Sequence, residues 1–568
     1  MSGRLRRTLQ GLLGAAALIA VVTVVSRALG LVRTLVLNAT VGSESIADAY
    51  NAANLLPNML FEVAAGGALA GAVVPLLAAP VARADREQVG RMVSAALGWV
   101  LLVLVPLGGL LAALSGVVGA YAGKGDPVMA ATVRYFVLVF AVQVPVYGLT
   151  VLLYGVLQAH RRFFWPAFAP VLNSAVLIAT FAVYGSLARG ERVDPTALPS
   201  GALDLLAWGT TAGVLAMLLP VLLPARRLGV RLRPTLRFPD DAGRRFRALG
   251  LAGVGSVAAQ QLSVLAVWLV ANGLLPSDGR GYSAIVYAQQ VYLLPYAVLV
   301  VPLATSTFPR VAAHAAAGDA RRFAATSAVT TRAVLLVGAL GAAAVLAGGQ
   351  AVATLFARIT PGRGSGLLEA MDVLLTWMPA GVVGLAVMFH VSRTLYAVER
   401  ARAAITTNVV GWGTLAVLAP LLAVLAGGAD PVGVLRAIGL ATTVGMAAGG
   451  LAAVVALRRA AGRDALAGLG RTAVVALLAG AAGALAGRAV ATTVLRLVGD
   501  DVWSATGAAA GGAVVAVTVV VCAVALLDRG TLLGVLSVER AETGVTTASA
   551  PAPTAATDPP AGPVPPVV

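Results

Sequence analysis

The chain has 568 residues, 59% of them hydrophobic and 11% charged, with a mean hydropathy of +0.90 and a formal net charge of +17. A soluble domain carries about a quarter charged residues, so this composition excludes a soluble globular enzyme, a disordered chain and a disulfide scaffold. One cysteine, Cys522, and three scattered histidines leave no disulfide or histidine-based metal centre within a single chain.

In chain order, Arg4, Arg6 and Arg7 precede an apolar run over 11–37. That run is too long for a signal peptide and lacks a small-residue cleavage site, so it reads as a first transmembrane helix. A second run, 47–80, is interrupted by Pro57 and Pro75. Further runs follow at 92–118, 131–157, 164–187, 202–224, 248–275, 282–308, 326–356, 367–392, 404–427, 431–457, 470–497 and 504–527. Only helices or closed barrels satisfy the backbone in lipid, and the runs lack the alternation of barrel strands. The expectation is an all-α polytopic membrane protein with about 14 transmembrane helices. If the N-terminus is cytoplasmic, 29 of the 41 basic residues fall on the cytoplasmic side, nine fall outside, and Arg27, Arg33 and Arg488 lie within spans. That alternating bias puts both termini in the cytoplasm and explains the basic charge without a nucleic-acid partner. The tail from about Glu542 is rich in Ala, Pro and Thr and reads as disordered.

The chain repeats itself. Run two holds Tyr50, Leu55-Leu56-Pro57 and Pro75; run eight holds Tyr287, Leu293-Leu294-Pro295 and Pro309. Run four ends at Leu153-Tyr154-Gly155-Val156 before Arg161-Arg162, and run ten at Leu395-Tyr396-Ala397-Val398 before Arg400 and Arg402. An offset of six runs keeps the orientation and gives two parallel six-helix lobes plus two C-terminal helices. The expected divisions are a first lobe over 1–235, a second over 236–465, two further helices over 466–530, and a disordered cytoplasmic tail over 531–568. Such repeats place a transport pathway between lobes that rock.

Charges inside the apolar runs are the candidate site. A central arginine costs about 2.5–3.5 kcal/mol on insertion scales, so two in run one point to a polar cavity. Arg27 and Arg33 keep their charge and would bind a phosphate or carboxylate; the alternative is pairing with Asp48 or Glu62, or snorkelling by Arg33. Asp48 opens run two, where it either complements a helix dipole or serves the site. Glu62 lies deeper, beside Asn58, where it could pair with an arginine of run one or carry a proton or cation. Pro57-Asn58 and Gly66-Gly67 would let the backbone break and line a cavity. Gln289-Gln290 bond either a ligand head group or a neighbouring helix, and Arg488 suits structural pairing. The segment from His160 to Trp165 reads as an interfacial anchor. With no Walker A loop and no HExxH motif, no enzymatic chemistry and no cofactor are expected. Uphill movement would draw on the membrane potential, a monovalent cation gradient or consumption of the substrate.

Several of these segments resemble the MurJ/MviN-type lipid II flippases: Ser26 to Arg33, Asp48-Ala49-Tyr50, Leu56-Pro57-Asn58, Gly67-Ala68, Val74-Pro75, Arg162 to Pro170 with Asn173, and Tyr287-Ala288 through Pro295 to Pro309-Arg310. The resemblance implies a transporter of the multidrug/oligosaccharidyl-lipid/polysaccharide superfamily in the cytoplasmic membrane. Its expected cargo is lipid II, the undecaprenyl-diphosphate-linked peptidoglycan precursor, moved from the inner to the outer leaflet by alternating access for cell wall synthesis. It further implies a cationic cavity for the diphosphate and sugars and a groove near the last two helices for the prenyl tail. Membrane lipids and cell-wall synthesis proteins are the other expected partners. The family's cavity arginines map to Arg27 and Arg33, and its acidic residue to Asp48. Two departures stand out: Phe61-Glu62 occupy positions where typical members are basic, and Gln289-Gln290 replace an acidic-basic pair, a pattern similar to the actinobacterial branch. The rival readings are an exporter of another lipid-linked glycan, a small-molecule antiporter, or a non-transporting cell-wall scaffold.

Overall fold

A computed structural model describes residues 22–64, 69–228, 233–239, 242–360, 364–428 and 430–530. The N-terminal arginines, the Gly66-Gly67 pair and the tail beyond 530 lie outside these residues. The described chain is helical: α1 (Val22–Thr40), α2 (Ser45–Glu62), α3 (Leu69–Ala82), α4 (Arg86–Ala113), α5 (Ser115–Ala122), α6 (Pro127–Ala141), α7 (Gln143–Ala159), α8 (Phe164–Ala188) and α9 (Ala202–Arg227). After a linker come α10 (Ala242–Leu274), α11 (Tyr282–Pro295), α12 (Val301–Ala316), α13 (Ala320–Ile359), α14 (Ser365–Trp377), α15 (Gly381–Ala397), α16 (Ala401–Leu425), α17 (Pro431–Ala461), α18 (Leu469–Leu497) and α19 (Val502–Leu527).

Among the described residues, 12 helical segments are long and apolar enough to span a membrane, or 13 if the bent pair α14–α15 is one span. The second sequence run is described as two pieces, α2 and α3, flanking the undescribed 65–68. The chain is a multi-pass membrane protein.

Aspartates mark many of the helix starts. Asp85, Asp126, Asp319, Asp430 and Asp501 each accept a backbone N–H of the following turn, and Pro127 and Pro431 take first-turn positions where no donor is needed. The interruptions fall in the helices that the sequence pairs. The Leu-Leu-Pro of α2 is followed by a π turn at 63–64, and that of α11 by one at Tyr296–Val300. The α6–α7 span breaks at Val142, and α14 and α15 meet at 53°. Proline removes a helical donor and π turns loosen the ladder, so these are places where the helices can bend.

Helices α2 to α9 pack mainly with one another, and α10 to α17 do likewise; α2, α3 and α5 touch α10, and α2 also touches α11. The last two helices pack on each other and on α13 through small residues. Gly487 meets the Gly512 carbonyl, Gly483 that of Ala516, and Gly348 that of Ala509, which lets the backbones approach closely.

Candidate functional site: a cationic cavity beneath a latched end

The two ends of the bundle differ. At one end the amino-terminal and carboxy-terminal helix sets are tied by hydrogen bonds. Asp48 of α2 is buried and accepts the backbone N–H of Ser283 through Oδ1 at 2.8 Å, capping α11 from across the boundary between the sets. Asn51 donates to Ser283 Oγ at 2.9 Å, and the Tyr287 hydroxyl to the Gly42 carbonyl at 2.6 Å. Trp268 Nε1 donates to Ala52 O (3.2 Å), the Tyr121 hydroxyl to Leu269 O (2.7 Å), and Asn38 Nδ2 to Phe356 O (2.7 Å). Lys124 Nζ reaches Leu275 O at 2.7 Å and Ser277 Oγ at 2.9 Å, and Glu44 and Asp278 form an isolated antiparallel bridge. Burial lowers the Lys124 ammonium pKa, against the pull of Asp48 and Asp278.

Gly281 makes the Asp48 contact possible. Its φ of −81° is open to any residue, but a Cβ there would overlap the Asp48 carboxylate. Space alone demands glycine.

Beneath the latch, between the sets, lies a cavity of 180 Å³ lined by Arg33, Tyr50, Asn51, Asn54, Asn58, Tyr147, Asn173, Thr210 and Gln290 among others. Tyr50 is held in place by Phe136, Phe140 and Phe181, each nearly perpendicular to it at 5.8–5.9 Å, and its hydroxyl meets Thr210 Oγ1 at 3.1 Å. The Tyr147 hydroxyl donates to Asn58 Oδ1 at 3.2 Å. Asn173 also lines the cavity; its Oδ1 is buried close against Gly213 of α9 and has no hydrogen-bond partner among the described residues.

The predicted site residues divide. Arg33, Asn58 and Gln290 line this cavity, and Arg33 lies within electrostatic reach of Tyr50 and Tyr147. Arg27 and Glu62 are exposed and near each other, and Arg27 also faces Tyr296. Gln289 is half-buried and does not line the cavity. Asp48 sits at the latch. Neither Arg27 nor Arg33 has a hydrogen-bonded or ion-paired partner among the described residues, whereas Arg488 pairs with Asp372 at 3.1 Å and donates to Thr376, as its position outside the repeat suggests.

One cation was hidden by the sequence. Arg393, placed in a loop by run boundaries, sits inside α15, half-buried, 4.2 Å over the Phe389 ring. Its Nη1 donates to Thr305 Oγ1 at 2.8 Å, and it shares Tyr296 as an electrostatic neighbour with Arg27. The signal available was the i,i+4 spacing of Phe389 and Arg393.

The described residues form an all-helical membrane bundle, tied at one end, whose fold recurs in solved membrane proteins. The fold is similar to a structure described as an inward-facing multidrug resistance MATE family transporter of the MOP superfamily (14% identity, TM-score 0.61, 78% of this chain and 98% of that one). It is also similar to one described as "Lipid II flippase MurJ, inward closed conformation" (17% identity, TM-score 0.66, 89% of this chain and 98% of that one). The family model "Lipid II flippase MurJ" matches residues 37–504, and the chain belongs to this family, one of transporters rather than enzymes. Similar relatives include a probable lipid II flippase MurJ of Rhizobium meliloti, 28% identical over 51% of this chain and 53% of the relative. Another is the lipid II flippase MurJ of Burkholderia cenocepacia, 29% identical over 53% of this chain and 57% of the relative. The chain thus spans about half the length of the curated relatives it matches.

Proposed function

We propose that this chain carries lipid II from the inner to the outer leaflet of the cytoplasmic membrane by alternating access. The observation that carries the reading is the unpaired state of Arg27 and Arg33 between the helix sets of a MurJ-family chain. A permanent guanidinium at membrane depth that forms no ion pair, as with Arg33, or has only an unbonded carboxylate nearby, as Arg27 has Glu62, is costly, and a diphosphate supplies the missing charge with paired acceptor oxygens. Arg33 takes the deeper position beneath the latch, Arg27 the one nearer the cytoplasmic mouth, and Glu62 limits how far Arg27 strays. Arg393 supplies a cation from the carboxy-terminal set, where Gln289-Gln290 bring none. Asn54, Asn58, Asn173 and Gln290 offer amide groups suited to sugar hydroxyls and peptide bonds.

On this reading the arginine-rich loops and both termini are cytoplasmic, so the latch is the outer gate. At 180 Å³ the cavity is smaller than the ~300–1,000 Å³ pockets that hold drug-sized ligands, and too small for a disaccharide-peptide head group. Loading therefore requires the cytoplasmic side to widen, and release requires the latch to part. The energy for the cycle comes from the membrane potential or a monovalent cation. The proteins that polymerise the glycan on the outer face are the partners such a carrier serves.

The test is depletion in the native host, followed by measuring how much lipid II an enzyme confined to the outer face can reach. Wild type should restore access, while Arg27→Ala and Arg33→Ala should not at equal membrane abundance. Undiminished outer-leaflet lipid II after depletion would overturn the assignment and bring forward the export of another lipid-linked glycan.

A further inference from the structure

The linker between the helix sets builds a second, separate feature. Residues 233–239 lie along the start of α4: Thr235 N donates to Ser94 O at 3.2 Å, and Trp99 Nε1 to Leu236 O at 3.2 Å. Gly98 allows this approach, since a Cβ there would run into the Thr235 backbone. The pinned linker and α4 enclose a pocket of 870 Å³ that draws in Arg86, Arg91, Arg233 and Arg237 against one acid, Glu87. Glu87 pairs with Arg91 at 3.0 Å on the exposed surface, leaving a net positive pocket.

Directly beside it, across the Phe238–Phe246 ring pair at 5.1 Å and the anchored Trp99, runs a groove of 360 Å³ walled chiefly by apolar side chains, with Arg247 among its lining residues. Its walls are Leu60 of α2, Val103 and Leu107 of α4, and Leu251 and Val254 of α10. A cationic pocket neighbouring an apolar groove, with one ring pair between them, at the end of a membrane helix matches an amphiphile with an anionic head and a hydrocarbon chain.

We propose that an anionic phospholipid occupies this site, its phosphate among the four arginines and one acyl chain along the α2–α4–α10 groove. The walls belong to both helix sets, so the bound lipid bridges them and favours the latched arrangement in which the groove exists. The leaflet assignment rests on the orientation given under the proposed function; the binding does not.

The test uses the purified full-length chain in detergent, offered equal amounts of dioleoyl phosphatidylglycerol and dioleoyl phosphatidylcholine, with retained lipid counted by native mass spectrometry. The anionic lipid should be enriched on the order of tenfold. Arg86→Gln/Arg91→Gln/Arg233→Gln/Arg237→Gln should bring the two lipids to parity, while Arg400→Gln/Arg402→Gln/Arg458→Gln/Arg459→Gln, which removes as many exposed arginines elsewhere, should keep the enrichment. Val103→Trp, which fills the groove, should reduce retention of both lipids while leaving inorganic phosphate binding intact. Equal retention of the two lipids by wild type overturns the proposal. So does full displacement by inorganic phosphate with no effect of Val103→Trp, which would define a simple anion pocket. Outer-leaflet access to lipid II, measured on the same variants, separates failure of this site from failure of the flippase reading.

Discussion

The latched end and the arginine mouth treat polar groups in opposite ways. At the latch, Asn51, Lys124 and Tyr287 donate to acceptors on the facing helix set, and Asp48 accepts from it through Oδ1. At the mouth, Arg27 and Arg33 find no such partner among the described residues, and Arg393 is held there by a hydroxyl and a ring. A polar group buried with its partner holds two surfaces together; one left without a partner waits for a ligand. The same rare residue types thus mark closure at one end and recognition at the other.

The largest expected effect comes from removing the waiting charges. Arg27→Ala or Arg33→Ala should lower outer-leaflet delivery by about ten- to hundredfold, the worth of a charged hydrogen bond. Lysine at either position should recover part of the loss, because it restores charge without the bidentate fork. Equal delivery by the alanine and lysine variants would remove the diphosphate from the account. Arg393→Ala should cost less, about five- to tenfold, because part of its capacity is already engaged with Phe389 and Thr305.

The latch should respond differently. Asp48→Ala removes a cap worth about 1 kcal/mol, a shift of about fivefold toward parted ends. Disulfide trapping between Glu44→Cys and Asp278→Cys in a Cys522→Ser background should fall accordingly, while Arg27→Ala leaves trapping unchanged. If both variants alter trapping equally, the two ends are not distinct in the way described.

The smallest effect is on pH. Burial, then Asp278, raises the Glu44 carboxyl pKa above its ordinary 4.5, with Arg192 opposing. The latched state therefore holds its proton more tightly than a parted state would. Trapping at this end, read with a cysteine pair that spares Glu44 such as Asn38→Cys and Thr360→Cys, should strengthen slightly as pH falls through that raised value. Below 4.5 it should gain nothing more, and Glu44→Gln should flatten the profile.

Much of this was legible in the sequence. Long apolar runs gave the helices because lipid leaves few alternatives. The twin Leu-Leu-Pro segments marked two helices that carry π turns, and the charges of α1 stood out against their surroundings. Asp48 could be flagged but not located, because the N–H it caps lies on a distant helix start and nothing local encodes that meeting. Arg393 was lost to a boundary: charge ended the apolar run on paper, while in space α15 continues through it to Ala397. Tyr50 and Tyr287 hold corresponding repeat positions, yet one anchors an aromatic cluster and the other the latch, a divergence that only the packing reveals.

Gly281 has a genetic consequence. Every change of a glycine codon that alters the residue adds at least one carbon, and here that carbon lands on the Asp48 carboxylate. Suppressor hunts for variants that open this end too readily should therefore return Gly281 alleles alongside Asp48 ones. Serine and alanine should be the mildest among them, because the backbone there tolerates any residue and only the space is forbidden.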